Sequence, residues 1–187
     1  MLAKYNAGLY KYEKINTDSI DNDINQYTSS IRKQIAEASI TLLNDPYLLI
    51  DKMKQNDTKN ISYVAVGTSL ENTFIKELKK YGIQKIFYLP TKEKEMKDFL
   101  KRIKNTNVII GIHNLSGYPT QNFGLDQNEI NAVIKLASTN NTLTVLFGNP
   151  YALKNFCNLK GLLVTYDEAE ETQIATASIL FCNIKTK

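Results

Sequence analysis

Histidine occurs once in this chain, at position 113, directly after the apolar run Val108-Ile109-Ile110-Gly111-Ile112. Imidazole is the side chain that ordinarily changes charge near neutral pH, so a lone histidine at the exit of a strand is the first place to look for chemistry. Two readings stand side by side: contact with a ligand or partner domain, or a structural hydrogen-bonding role. Ser116 follows three residues later. A nucleophile–base pair is a spatial relation, however, and three residues along a loop do not establish one. No Gly-x-Ser-x-Gly elbow occurs in the chain. A second candidate is Gly67-Thr68-Ser69-Leu70-Glu71-Asn72, a turn into a helix N-terminus whose free N–H groups suit an anion. It lacks both the G-x-G-x-x-G spacing and the Walker ending. Asn114, Asn149 in Gly148-Asn149-Pro150, and Asp167 complete the candidate ligand-facing set. Asp167, Glu168, Glu170 and Glu171 open a helix, where the helix dipole favours negative charge. No complete catalytic apparatus is present, so no catalytic residue is assigned, and no cofactor is implied.

These residues fall at the ends of a regular alternation. Strands are expected over Ile61–Val66, Lys85–Leu89, Val108–Ile112, Thr142–Phe147 and Leu162–Tyr166. Their continuous apolar character marks a sheet covered on both faces. Helices fill the gaps: one capped by Ser69 with the stripe Leu70, Phe74, Leu78 and Tyr81, one capped by Thr91, one capped by Asp126, and one from Glu168 to about Phe181. Upstream, Ile24–Leu43 has helical spacing, Pro46 ends it, and Tyr47–Ile50 is expected as a short edge strand. The pattern predicts an α/β fold: a doubly wound, mainly parallel sheet of five to six strands with helices on both faces, in a flavodoxin-like order. Ligands in such sheets sit beyond the carboxyl ends of the strands, which is where the candidate residues lie.

Bulk properties narrow the classes. With 187 residues, 43% hydrophobic and 22% charged, one good core is within reach. Residues 1–23 read as a linker or strap after a further N-terminal domain, and 24–187 as a single α/β domain. The net charge of +4 is mild. The densest basic stretch, Lys92–Lys104, also holds Glu93, Glu95 and Asp98. It reads as a solvated helix face and not as a nucleic-acid surface. Cys157 and Cys182 sit in apolar surroundings and are expected to be buried free thiols. With one histidine, a Cys/His metal site is not expected. No window approaches the ~18 apolar residues of a membrane span. Met1–Gly8 has no secretory apolar core, and the compartment stays open.

Three stretches carry a family resemblance. Arg32-Lys33-Gln34-Ile35-Ala36-Glu37-Ala38-Ser39-Ile40-Thr41-Leu42-Leu43 resembles the helix leading into the C-terminal α/β domain of glycoside hydrolase family 3, in its bacterial β-N-acetylhexosaminidase branch. Val108–Asn114 with Asn122-Phe123-Gly124 is similar to that domain's central strand and loop. Val145–Leu153, Leu163–Tyr166 and Glu171-Thr172-Gln173 are similar to its end. Asn44-Asp45 and Leu48-Leu49-Ile50 depart from the family's usual Lys-Asn and Leu-Pro-Leu. The resemblance implies hydrolysis of terminal β-linked sugars by a longer enzyme, with which an exported location, at the periplasm or cell surface, is compatible. The nucleophile would lie on a preceding TIM-type barrel of the same polypeptide. Some branches place an acidic Glu in the α/β domain, but the His113–Gly124 loop holds none. The acid/base residue is then expected on the barrel too. Tyrosines 5, 10, 12 and 27 motivate a barrel-facing apolar surface in the first 30 residues.

Overall fold

A computed structural model describes residues 1–11, 17–55, 58–104 and 106–182. They divide into two compact units, one ending at Ile31 and one beginning at Arg32. The first holds α1 (Leu2–Asn6), α2 (Ile20–Asn25) and the start of α3 (Thr28–Ser39). Within it Tyr5 and Tyr10 stack at 4.3 Å, and Leu2, Tyr5, Leu9, Tyr10, Ile24 and Tyr27 are exposed. Tyr12 lies outside the described residues.

The second unit is built on a six-stranded sheet: β1 (Thr41–Asn44), β2 (Ile61–Val66), β3 (Lys85–Tyr88), β4 (Asn107–Ile112), β5 (Asn141–Leu146) and β6 (Leu162–Val164). The spatial order is β1-β6-β5-β4-β2-β3. β2 to β6 run parallel, and β1 pairs antiparallel with β6 at one edge. Without β1 the order is flavodoxin-like, so the expected doubly wound α/β architecture holds.

Alternation along the strands feeds two cores. Ile61, Tyr63, Ala65, Ile109, Leu143 and Val145 face one side, with α4 (Leu49–Lys54), α5 (Thr73–Lys80) and α8 (Glu170–Phe181). Val64, Val66, Val108, Ile110 and Ile112 face the other, with α6 (Glu93–Arg102) and α7 (Gln127–Thr139). Asp126 caps α7 through a reciprocal box with Glu129, as its sequence position predicts.

Four local expectations are corrected. The helix expected to reach Leu43 stops at Ser39, and β-branched Ile40 and Thr41 turn the chain into β1, where Thr41 pairs with Val164. The edge strand expected at Tyr47–Ile50 is instead the run into α4. Asp45 accepts hydrogen bonds there from the Leu49 and Ile50 N–H groups at 3.1 and 2.9 Å, and Leu49, Ile50 and Met53 turn inward at helical spacing. Neither Ser69 nor Thr91 caps a helix. Asn72 caps α5, accepting from Ile75 N–H at 2.9 Å, and Leu70 is exposed. Lys92 precedes α6 without a side-chain cap. Both cysteines are free, but Cys157 is exposed and Cys182 half-buried. Phe156 takes the inward position next to Cys157, and Cys182 Sγ lies 3.6 Å from Tyr81 Oη.

Candidate functional site

The register brings two of the candidate loops level. Val66 pairs with Ile112 across β2 and β4, and the His113 N–H donates to the Val66 carbonyl at 3.0 Å. Gly67 and His113 therefore leave the sheet side by side, at the point where the strand order reverses. This is where open α/β sheets ordinarily hold a ligand. Here the gap is filled by the chain itself. A Cβ on Gly67 would collide with the His113 carbonyl oxygen, and Gly67 has φ +76°. Asn114, also left-handed at φ 56°, donates from its side chain to the Gly67 carbonyl at 2.7 Å.

Beneath this contact lies a buried polar chain. His113 is 1% exposed and its ring stacks on Phe147 at 4.5 Å. Nε2 lies 2.6 Å from Tyr63 Oη and Nδ1 lies 2.7 Å from Glu168 Oε1. The Asn72 amide nitrogen sits 3.3 and 3.4 Å from the two ring nitrogens. Glu168 accepts the Asn114 N–H at 2.7 Å through its other oxygen. With both carboxylate oxygens accepting, Nδ1 supplies the hydrogen to Glu168, which leaves Nε2 to accept from the tyrosine. Burial, then the nearby Glu168 carboxylate and Tyr88, push the Tyr63 phenol well above its ordinary range. That keeps Tyr63 protonated as the donor.

Sequence position explains the fit. Residues 109, 111 and 113 share one face of β4, and glycine at 111 leaves the room that Tyr63 and His113 occupy. A Cβ there would collide with the Tyr63 hydroxyl and lie 2.8 Å from His113 Nε2. Gln173 on α8 anchors the far side. Its amide donates to the Glu168 carbonyl at 2.8 Å, and its oxygen accepts the Phe74 N–H at 2.8 Å. The network thus ties β2, β4, the start of α5 and the loop before α8. Both imidazole nitrogens are engaged, and no serine or cysteine adjoins the ring among the described contacts. The arrangement can orient and brace; it offers no free nucleophile.

Of the candidates read from sequence, Gly67, His113 and Asn114 converge. Asp167 does not join them: it accepts from Thr172 Oγ1 at 3.2 Å, and its neighbour Glu168 reaches His113. Ser116 and Asn149 form a separate pair, Asn149 Nδ2 donating to the Ser116 carbonyl at 3.2 Å. Thr68 closes a local turn with the Leu70 N–H at 3.3 Å, and Ser69 is exposed. Tyr63 was not singled out in sequence, and Asn72 and Gln173 were named there only inside longer motifs, without this role. The one available signal for Tyr63 was its hydroxyl inside the buried strand Ile61–Val66, where Ser62 is the other polar residue. No cluster of three or more His, Cys, Asp or Glu residues suited to a metal occurs among the described residues. None of the described helices is long and apolar enough to cross a membrane.

No protein-family model and no curated protein matches the chain. Solved structures do. A fungal multi-domain family 3 β-N-acetylglucosaminidase aligns with TM-score 0.66 and 19% identity over 93% of this chain and 20% of its own. The family 3 β-N-acetylglucosaminidase from Paenibacillus sp. str. FPU-7 aligns with TM-score 0.64 and 17% identity, over 99% and 36%. The β-glucoside phosphorylase BglX gives 0.65 and 18%, over 98% and 35%. The chain therefore spans between a fifth and a little over a third of these proteins, and its fold is that of the C-terminal α/β region of glycoside hydrolase family 3 enzymes.

Proposed function

We propose that this chain is the accessory α/β domain of a family 3 glycoside hydrolase acting on terminal β-linked sugars, β-N-acetylhexosaminides in particular. The nucleophile and the acid/base group belong to a TIM-type barrel of the same polypeptide. The observation that carries this reading is the coverage: 99% of the chain aligns within 36% of a family 3 β-N-acetylglucosaminidase. The site agrees with it. Retaining hydrolysis in its usual form needs two carboxylates about 5–5.5 Å apart across one glycosidic bond. The one carboxylate in the His113 network is committed to His113 and Asn114. The exposed apolar residues of the first unit, with Tyr5 stacked on Tyr10, support a surface that packs on a neighbouring domain.

An alternative, a stand-alone doubly wound module that binds a small anion or nucleotide at the Gly67 turn, is not favoured. Gly67 packs on the His113 carbonyl, and the α5 N-terminus is already capped by Asn72 and Gln173.

The test compares the 187-residue chain with the same chain joined to whatever open frame precedes it. A frame long enough for a barrel of roughly 250 residues is expected. The longer protein should hydrolyse nitrophenyl N-acetyl-β-glucosaminide and the shorter one should not. Turnover by the short chain, abolished by a point substitution within it, overturns the proposal.

A further inference from the structure

The first unit has no core of its own. None of its described residues is buried, and α2 is six residues long. Short helices draw their stability from packing an apolar face. Such a face is present, and it is exposed.

Ile20, Ile24, Tyr27 and Ile31 recur at a spacing of four, three and four. At 3.6 residues per turn these positions fall within an arc of about 60°. Gln26 and Tyr27 separate α2 from α3, but Gln26 keeps helical angles, φ −53° and ψ −29°. The Ile31 N–H donates to the Tyr27 carbonyl at 2.9 Å, as in a helix. All four side chains are exposed, Ile24 at 71%. Between Ile24 and Ile31 no residue is charged. That is the composition of an interface centre and not of a solvated helix face.

The spacing itself identifies the partner. Four, three, four reads the same in both directions, about a midpoint between Asn25 and Gln26. An antiparallel copy of the stripe sets Ile20 against Ile31 and Ile24 against Tyr27, each twice. This is the self-complementarity of a two-fold contact. Charge selects the same direction. Reversal sets Asp18 opposite Lys33 and Asp21 opposite Ser30, whereas a parallel copy sets Asp18 and Asp21 opposite themselves.

We infer that α2 and the first turn of α3 form a homodimer contact, pairing antiparallel with a second copy of this chain through Ile20, Ile24, Tyr27 and Ile31. Leu2, Tyr5, Leu9 and Tyr10 take no part in it, and the contact does not rest on the functional reading above.

The test is analytical ultracentrifugation of the 187-residue chain across about 1–300 μM. The contact is small, so a dimer dissociating at about 10–100 μM is expected. Ile24→Asp and Ile31→Asp, both at exposed positions, should each weaken it about tenfold or more. A mixture of isotope-labelled and unlabelled chains should show intermolecular Overhauser contacts between the Ile20 and Ile31 methyl groups. Eleven residues along one helical path hold those groups about 16 Å apart within a single chain. Four results overturn the contact: a monomer across the whole range, a dimer that both substitutions leave unchanged, a dimer without the Ile20–Ile31 contact, or a monomeric longer protein where the short chain dimerises. The last would mean that the rest of the polypeptide covers the stripe.

Discussion

Replacing Tyr63 with phenylalanine isolates the hydrogen bond at the centre of the polar chain. Tyr63 is fully buried and its hydroxyl stands 2.6 Å from His113 Nε2. Without it Nε2 keeps only the long 3.4 Å approach of Asn72, so a buried acceptor is left nearly unmatched. The expected cost near neutral pH is about 1–3 kcal/mol. The pH dependence then separates this bond from a simple packing loss. Burial and the Glu168 carboxylate raise the folded-state pKa of Tyr63, whereas the unfolded residue titrates near about 10. A raised folded pKa gives stability that is fully present below the unfolded value and is lost as pH rises above it. The natural chain should therefore lose about 1.4 kcal/mol per pH unit from this residue above about pH 10, while Tyr63→Phe loses none from it. At about pH 11.5 the gap between the two should be narrower than at neutral pH. Urea unfolding followed by far-ultraviolet circular dichroism across the two pH values measures it. An identical gap at both would refute burial as the cause of the shift. No gap at neutral pH would refute the bond's contribution.

Other positions discriminate local causes. Gly67→Ala combines a left-handed φ of +76° with a collision on the His113 carbonyl, whereas Gly8→Ala shares the φ and meets nothing within 4 Å. Thermal unfolding should show about 2–4 kcal/mol lost for the first and about 1 kcal/mol or less for the second; equal losses would mean the close approach is absent. Asp126→Ala removes the side-chain arm of the box that begins α7 while the residue 126 N–H still donates to Glu129, and should cost about 0.5–2 kcal/mol. Thr91→Ala, adjacent to an uncapped start, should stay within about 0.5 kcal/mol. A larger effect at Thr91 would show that it caps α6 after all.

What the sequence disclosed follows from the range of each interaction. Strands buried on both faces write a continuous apolar run, so β2, β4 and β5 were legible, and with them the sheet order. The Asp126 cap acts over three residues and was legible for the same reason. The Ile40–Lys54 stretch was not. Thr41–Asn44 becomes a strand only by pairing with residues 162–164, more than a hundred positions away. The short helix after it is set by Asp45 and by burial of Leu49, Ile50 and Met53. At the site, His113 was conspicuous because it is the sole histidine. Its partners Tyr63 and Glu168 stand 50 and 55 residues away, and no local pattern announces such a pair. Glu168 was visible only as part of an acidic helix start, where its charge already had a sufficient local explanation.

The closed switch point bears on the role of the whole domain. An open α/β sheet leaves its reversal point free when that point works as a binding crevice. In this chain the same point holds Gly67 against His113, the Asn114 side chain on Gly67, and Glu168 spanning His113 and Asn114. Each of these contacts joins separate segments, and the hydrogen bonds linking His113 with Tyr63 and Glu168 are largely shielded from water, which braces the carboxyl edge of the sheet. A braced edge without an open crevice is poorly suited to closing on a small ligand of its own. It is well suited to present its outer loops, such as Ser116–Gly124 and Gly148–Tyr151, in fixed positions to a neighbouring surface. Under the proposed function, Tyr63→Phe in the longer protein is expected to raise KM for a nitrophenyl glycoside more than it lowers kcat, because the loops at this edge would shift while carboxylates on the proposed barrel stayed in place. A fall in kcat at unchanged KM would place a part of the chemistry on this domain.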